Sequence, residues 1–297
     1  MNNDKRKYKF AFLGGDKRQS VVAGELLHQG HDVSLFGIAD TGVSGELCLN
    51  ADKAMSGADF AILPLPVTRD NIYLSSLGEM VTLNEIVKLA EKNKTILLGG
   101  MVPHELIDLC NSSGVLILDY YKRETLQIKN ALPSAEGALM IAMENTDITV
   151  NGMRALVCGY GRTGSILSGI LRNLGAIVTV AARRDETLCE LSLAGFNSVR
   201  IGGDIDDLRK AVGECDVIFN TVPNVVFSKN VINGSKNKPI YIEIASSPGG
   251  IDLSAARDNG IKTIFAPSIP GKYSPITAGR YIYETISDIL SERGIIL

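Results

Sequence analysis

The chain has 297 residues, of which 45% are hydrophobic and 21% are charged, and its formal net charge at pH 7 is -3. These values are typical of a globular protein with room for two domains, and they exclude a disordered chain. Basic residues are scattered, so we expect no nucleic-acid partner. No apolar run approaches the roughly 18–20 residues that span a bilayer, and residues 1–7 do not resemble a signal peptide. We therefore expect no membrane association.

The five cysteines form no closely spaced pairs, and the chain contains three histidines. This composition predicts neither a disulfide framework nor a metal site. Reduced thiols in a cytoplasmic enzyme are the natural interpretation.

Short apolar runs alternate with helix-like stretches along the chain, which predicts an α/β fold with parallel sheets. In the first half, the predicted strands are 8–13, 31–37, 59–65, 94–99 and 114–120, and the clearest helices are 18–29 and 82–92. In the second half, the predicted strands are 154–158, 177–182, 198–201, 217–221, 240–245 and 262–265, and the helices are 165–174, 188–194 and 205–212. The pattern predicts two Rossmann-like, doubly wound parallel-sheet domains that face a cleft.

A break between the halves is predicted at Pro133. Ser134 is expected to cap an apolar helix at 138–144, with the proline immediately before it. We place a hinge here, which divides the chain into a substrate or assembly domain at 1–130 and a cofactor-binding domain at 131–297. The last helix, within 277–297, is expected to pack on the first domain.

The second half contains a Gly-X-Gly-X-X-Gly pattern between the strand at 154–158 and the helix at 165–174. Gly159 permits a tight turn, Gly161 lets the backbone approach a pyrophosphate, and Gly164 lets the helix pack closely on the strand. The helix N-terminus adds N–H groups for the phosphates. This context predicts a dinucleotide-binding Rossmann domain, and a glycine turn in a ligand-free domain is the alternative. The predicted cofactor residues in the motif are Gly159, Tyr160, Gly161, Arg162, Thr163 and Gly164.

The strand at 177–182 is followed by Arg183 and Arg184. An NAD enzyme usually has Asp or Glu near this point, about 20 residues beyond the motif, to accept from the ribose 2′-OH. An arginine fork suits a 2′-phosphate instead, so we predict NADP as the cofactor. Because Asp185 follows, a solvated surface pair with NAD as the cofactor is the alternative.

Two loops that follow later strands are predicted to line the nicotinamide half of the cofactor. The first contains Thr221, Val222 and Pro223, and the second contains Ala245 and Ser246. Small residues there let a cofactor approach the backbone, whereas the alternative is that such loops only turn the chain.

The first strand also ends in a glycine turn, at residues 14–19. It lacks the third glycine, so we expect no second dinucleotide site. Lys17 and Arg18 at a helix start could hold a carboxylate, and a turn with a solvated helix start is the alternative. No catalytic triad, metal cluster or nucleophile is evident, so the residues alone predict a two-domain NADP-linked oxidoreductase for an acidic small molecule.

Several motifs extend beyond the general pattern of a dehydrogenase. They are residues 14–19, residues 133–137 leading to 145–147, residues 159–164, residues 245–250 with Asp252, and residues 270–271 followed by 275–279. Through these motifs the chain resembles the dipicolinate synthase A-subunit family along nearly its whole length. The general layout is also similar to the D-2-hydroxyacid and alanine dehydrogenases, but the Arg-Glu-His set of the hydroxyacid type is not found.

The resemblance implies an enzyme of sporulation, located in the cytoplasm of the mother cell. It implies oxidation of dihydrodipicolinate or 4-hydroxy-tetrahydrodipicolinate, from a branch of the lysine pathway, to dipicolinate, with NADP as the electron acceptor. A flavoprotein-like B subunit is the implied partner, and an oligomer is expected. The alternatives are another NADP-linked 2-hydroxy or amino acid dehydrogenase and a non-catalytic, dinucleotide-binding regulatory subunit.

The implied substrate is a dicarboxylate, which suggests cationic groups that bind it. Our hypothesis assigns this role to Arg18, with Arg123 and Lys272 as further candidates, and adds Ser134 as a substrate-binding residue. Glu136 is the candidate base and Lys272 is the second catalytic candidate. A position beside a helix start counts against Glu136 as a base, because the helix dipole stabilises its charged form.

Overall fold

A computed structural model describes residues 6–38, 42–233 and 237–297, so most of the charged stretch at 1–7 lies outside the described residues. The chain divides into two compact units, which are Met1–Asn130 with Ser274–Leu297, and Ala131–Tyr273. Each unit contains a six-stranded sheet in which every pair of neighbouring strands is parallel. In the described part of the chain, no helix is long and apolar enough to cross a bilayer.

The sheet of the first unit has the order β3-β2-β1-β4-β5-β6. Its strands are β1 (Lys9–Leu13), β2 (Asp32–Phe36), β3 (Glu46–Leu47), β4 (Phe60–Ile62), β5 (Ile96–Gly99) and β6 (Ile117–Asp119). This is the order of a doubly wound dinucleotide-binding sheet. The sequence pattern does not predict β3, because its two exposed residues form no apolar run.

Helices cover both faces of the first sheet. They are α1 (Lys17–His28), α2 (Ala51–Met55), α3 (Leu83–Asn93), α4 (His104–Ser112), the short 3-10 helix Tyr120–Lys122, the start of α5 (Glu124–Asn145), and the C-terminal α12 (Pro275–Ser291). Helix α12 packs on α1 at Gly279, where a Cβ would lie 2.8 Å from the carbonyl oxygen of Arg18. Only glycine permits this close approach.

The sheet of the second unit has the order β12-β11-β10-β7-β8-β9, which is the same winding. Its strands are β7 (Arg154–Cys158), β8 (Ile177–Ala182), β9 (Asn197–Arg200), β10 (Val217–Asn220), β11 (Ile240–Glu243) and β12 (Thr263–Phe265). The remaining helices are α6 (Arg162–Asn173), α7 (Asp185–Leu193), α8 (Ile205–Glu214), α9 (Lys229–Ile232), α10 (Leu253–Asp258) and α11 (Ile269–Tyr273). The predicted fold class, two Rossmann-like doubly wound sheets, is confirmed.

Each sheet is buried on both faces, as its apolar strands require. In β1, Ala11 and Leu13 belong to one core cluster, whereas Phe10 and Phe12 belong to the cluster on the opposite face. Strand β7 alternates between two clusters of the second unit in the same way.

The predicted helix start near Ser134 is wrong. Helix α5 runs from Glu124 to Asn145 without interruption, and Pro133 lies inside it. A proline inside a helix removes one hydrogen bond and costs roughly 3 kcal/mol. Here the helix continues because small apolar residues such as Ala135 and Ala138 are fully buried in the core of the second unit.

Candidate functional site

The turn between β7 and α6 requires glycine at two positions. Gly159 has a φ of 96°, which lies in the left-handed region. A Cβ at Gly159 would collide with the Thr221 hydroxyl, and a Cβ at Gly164 would collide with the carbonyl oxygen of Gly159. The turn and the packing of α6 on β7 therefore exclude any side chain at these two positions.

Gly161, unlike Gly159 and Gly164, is not closely packed. A Cβ there would meet no protein atom within 4 Å, so the backbone at Gly161 borders open space. Gly161 is also the N-cap of α6 and has no side chain to accept a hydrogen bond from the first turn of the helix. The N-terminus of α6 thus presents backbone N–H groups beside open space, and this arrangement fits a phosphate.

A cavity of about 550 Å³ adjoins this turn. Eight of the predicted cofactor residues line it, and they are Gly159, Tyr160, Gly161, Arg183, Arg184, Thr221, Val222 and Pro223. Five others do not, namely Arg162, Thr163, Gly164, Ala245 and Ser246. The structure therefore brings three separate segments of the second unit together around one cavity.

Arg183 and Arg184 are both exposed at this cavity. Within the described ranges, neither side chain makes an ion pair or a hydrogen bond. Asp185, the adjacent carboxylate, pairs with Arg200 instead. Both guanidinium groups therefore remain available to an anion.

A buried carboxylate that we did not predict lies at the carboxyl end of β11. Glu243 is 3% exposed, and its oxygens accept four hydrogen bonds. The donors are Asn220 Nδ2 at 2.7 Å, the Tyr241 hydroxyl at 2.8 Å, the Ala245 N–H at 3.1 Å and the Gly250 N–H at 2.7 Å. Burial, together with this carboxylate, raises the pKa of the Tyr241 hydroxyl well above its usual value. The phenol therefore stays protonated and donates.

The Glu243 network connects two loops of the second unit. Asn220 donates to the carbonyl oxygen of Val222 at 2.8 Å and accepts from its N–H at 3.2 Å, which holds the loop after β10. The bonds from Ala245 and Gly250 hold the loop after β11. A signal for this network was present in the sequence, because Glu243 is the one ionisable carboxylate within the apolar run 240–244.

Arg18 lies in the first unit and is 4% exposed. Its Nε donates to Asp16 Oδ1 at 2.9 Å, and its Nη2 donates to Asp16 Oδ2 at 2.8 Å and to the carbonyl oxygen of Leu65 at 2.6 Å. The guanidinium thus already binds a carboxylate, which belongs to its own chain.

The other four predicted substrate and catalytic residues are more accessible. Arg123, in the first unit, forms an ion pair with Glu292. In the second unit, Ser134 is half-buried and Glu136 is exposed, and both lie within α5 rather than at a helix start. The dipole argument against Glu136 as a base therefore does not apply. Lys272 is exposed on α11, with its Nζ 5.1 Å from the centre of the Tyr273 ring.

Comparison with known proteins gives similarity along the whole chain. Residues 9–121 match the family model of the N-terminal domain of the dipicolinate synthase A subunit. The A subunit of dipicolinate synthase from Bacillus subtilis (strain 168) is 29% identical in an alignment of 289 residues that covers 96% of this chain and 96% of that one. The chain is thus similar to the dipicolinate synthase A subunits along nearly its whole length. The resemblance predicted from the sequence motifs is thus confirmed.

Solved structures give the same similarity. The crystal structure of the dipicolinate synthase A subunit from Bacillus halodurans has a TM-score of 0.84 at 27% identity, covering 96% of this chain and 98% of that one. A transhydrogenase from Sinorhizobium meliloti has a TM-score of 0.68 at 12% identity, covering 96% of this chain and 94% of that one. The second similarity concerns the fold alone.

The family model covers the strands β1–β6 and the turn at 14–19. The open glycine turn at 159–164 and the loop at 245–250 lie outside that match, within the region shared with the whole-chain relatives of the dipicolinate synthase A-subunit family. The match of the first unit to the family model and the geometry of the cavity are therefore independent observations.

Proposed function

We propose that this chain is the oxidoreductase subunit of a dipicolinate synthase, and that it oxidises dihydrodipicolinate, formed from 4-hydroxy-tetrahydrodipicolinate, with NADP. The observation that carries the proposal is a combination of two features. The chain is similar along its whole length to a dipicolinate synthase A subunit, and its open glycine turn lies beside two arginines that have no carboxylate partner among the described residues. Structural neighbours named transhydrogenase, D-lactate dehydrogenase and L-alanine dehydrogenase support hydride transfer as the reaction type.

The proposed oxidation requires little from the protein beyond the orientation of the substrate ring. Loss of water from the hydroxy compound gives dihydrodipicolinate, and loss of one hydride and one proton from that ring gives dipicolinate. Formation of an aromatic ring favours the second step, so the protein mainly has to orient the ring and accept the proton. When bound, NADP would accept the hydride and leave as NADPH.

The residues of the second unit fit NADP. The N–H groups at the start of α6, beside Gly161, would hold the pyrophosphate. Arg183 and Arg184 would hold the 2′-phosphate, because both are exposed at the cavity and have no carboxylate partner among the described residues. The loops at 221–223 and 245–246 would line the nicotinamide half.

The substrate-binding and catalytic assignments stay proposals of the same kind. Glu136 remains our candidate for the proton acceptor, because its carboxylate is exposed. Lys272 is also exposed and is a candidate for a substrate carboxylate or a proton. Arg123 and Ser134 would assist in binding, whereas the Nε and Nη2 groups of Arg18 already bind Asp16. We further propose that the chain forms an oligomeric assembly and that its partner is a flavoprotein-like B subunit.

The test couples freshly made product of dihydrodipicolinate synthase to the purified chain, with and without the flavoprotein-like subunit. We expect dipicolinate and NADPH to appear in step, and faster with NADP than with NAD. In the double variant Arg183→Ala and Arg184→Ala, the preference for NADP should fall on the order of ten- to a hundredfold, since two charge-assisted contacts are lost. Arg209→Ala is the matched control, because this exposed arginine of the same unit pairs with Asp206 away from the cavity.

Three results would overturn the proposal in distinct ways. Turnover of a simple 2-hydroxy or 2-amino acid by the chain alone would indicate another dehydrogenase. Tight NADP binding with no hydride transfer, even with the partner present, would indicate a regulatory subunit. Failure to bind either dinucleotide would remove the cofactor assignment itself.

A further inference from the structure

Among the described residues of the second unit, Glu243 is a buried carboxylate without a cationic partner. Its four hydrogen bonds all come from donors that carry no charge. No ion pair with Lys or Arg involves Glu243 in the part of the chain that the structure describes. The donors on Asn220, Ala245 and Gly250 cannot accept a hydrogen bond, and the Tyr241 hydroxyl donates here, so all four contacts suit carboxylate oxygens that only accept.

The carboxylate lies at the edge of the sheet where a dinucleotide binds. In the sheet, Glu243 of β11 lies beside Asn220 of β10, and Asn220 lies beside Cys158 of β7. Cys158 is the residue immediately before the glycine turn. A dinucleotide spans the carboxyl ends of the strands in a sheet of this order, with its pyrophosphate at the first turn. Arg183 and Arg184 mark the adenosine side, beyond β8. The nicotinamide half therefore belongs on the opposite side, beyond β10 and β11.

We propose that Glu243 sets the redox preference of this site by favouring the oxidised form of the cofactor. The oxidised nicotinamide ring carries a positive charge and the reduced ring is neutral, so a buried negative charge nearby stabilises only the oxidised form. Burial strengthens this effect, because water does not screen the carboxylate fully. The inference rests on the proposed function, in which the chain binds NADP and releases NADPH.

A second role for Glu243 follows from the same contacts and has to be separated from the first. The carboxylate also holds the loops after β10 and β11, through Asn220, Ala245 and Gly250. A loop that has lost its position would weaken the binding of both forms of the cofactor. A change in the ratio of the two affinities, by contrast, reports the charge.

The experiment measures the Kd values of NADP+ and NADPH by calorimetry on the full chain. The chain is compared with Glu243→Gln, which removes the charge at nearly constant size, and with Tyr241→Phe. The second variant is the matched control, because it removes one of the four donors and keeps the carboxylate. We expect Glu243→Gln to shift the affinity ratio on the order of tenfold toward NADPH. Tyr241→Phe should leave the ratio unchanged even if both affinities fall.

An equal loss of affinity for both forms in Glu243→Gln would overturn the inference and leave Glu243 a purely positioning residue. If Glu243→Gln does not fold, the Kd values of the unchanged chain provide the test. Tighter binding of NADPH than of NADP+ by the unchanged chain contradicts the proposal. A chain that binds neither form would overturn the proposed function as well. Binding of both forms with an unaltered ratio would overturn the redox preference alone.

Discussion

The two sheets have the same strand order, but their first turns are built in opposite ways. In the second unit, the turn after β7 is open at Gly161, and no side chain caps α6. In the first unit, the turn after β1 is capped by Asp16, whose side chain accepts from the backbone N–H of Arg18 at 3.0 Å. The start of α6 is therefore open to the anion of a ligand. At the start of α1, the carboxylate of Asp16 occupies the corresponding position.

Two further contacts close the first turn. Gln19 completes a capping box, because its Oε1 accepts from the Asp16 N–H at 3.0 Å. Gly15 donates to the carbonyl oxygen of Ser75 at 3.0 Å, and a Cβ at Gly14 would lie 2.6 Å from that same oxygen. The glycines of this turn therefore make room for another segment of the chain rather than for a ligand. The same strand order thus leaves space for an anion at one first turn and fills that space at the other.

The largest effect is expected at the open turn. In Gly164→Ala, the new Cβ would collide with the carbonyl oxygen of Gly159, which is backbone and cannot rotate away. We expect affinity for NADP to fall at least a hundredfold, about 3 kcal/mol or more, because the turn has to shift. Calorimetric titration measures this loss. Gly169→Ala is the control, since a Cβ at that position of the same helix meets nothing within 4 Å. If Gly164→Ala keeps its affinity for NADP, the turn does not require glycine at this position.

A smaller effect, on stability rather than binding, is expected at the closed turn. Asp16→Ala removes the helix cap and the counterion of the Arg18 guanidinium, whose side chain is 5% exposed and which keeps its hydrogen bond to the Leu65 carbonyl. We expect the free energy of unfolding to fall by about 2–3 kcal/mol, since an almost buried charge loses its counterion. Urea denaturation measures the change.

The affinity for NADP should stay constant in Asp16→Ala if the second unit alone binds the cofactor. Asp16→Asn is the matched variant, because it keeps an acceptor for the cap while it removes the charge. It should lose less stability than Asp16→Ala. A gain of dinucleotide binding at the first turn in Asp16→Ala would instead show that the carboxylate alone had kept that turn closed.

The regular part of the fold is predictable from the sequence, and the exceptions have physical causes. The strands at 154–158 and 177–182 have the bounds that the sequence predicts, because a buried parallel strand is an apolar run that ends at a turn residue. The prediction at Pro133 is wrong because burial along α5 outweighs the lost hydrogen bond, and burial is a tertiary property.

The candidate site is predictable only in part for the same reason. The glycine motif has fixed spacing, and the loops after the later strands end at the same edge of the sheet, so eight of the lining residues can be named from the sequence. Glu243 has its donors on four residues that the fold brings together, and the order of residues along the chain does not reveal which donors converge. The ion pair between Arg18 and Asp16 likewise depends on the rotamers of two neighbours rather than on their spacing.

The smallest effect concerns helix caps, which the two units share. Hydrogen bonds from the backbone and side chain of Thr82 lower the pKa of Glu85 at the start of α3 in the first unit. Bonds from Ala255 and Ser254 lower the pKa of Asp252 at the start of α10 in the second unit. A carboxyl group with a lowered pKa in the folded state stabilises the protein above its ordinary pKa, and this contribution is lost as the pH falls toward the lowered value.

Glu85→Gln and Asp252→Asn should therefore each remove a small part of the acid sensitivity. The difference from the unchanged chain should be present at neutral pH and should shrink below about pH 4.5 for Glu85 and below about pH 3.8 for Asp252, the ordinary values of these groups. Thermal unfolding between pH 7 and pH 3 measures both curves. Similar behaviour of the two variants would mean that the two units use the same cap chemistry at these helices, away from their first turns. A difference that stays constant down to pH 3 would mean that the caps act through their shape rather than their charge.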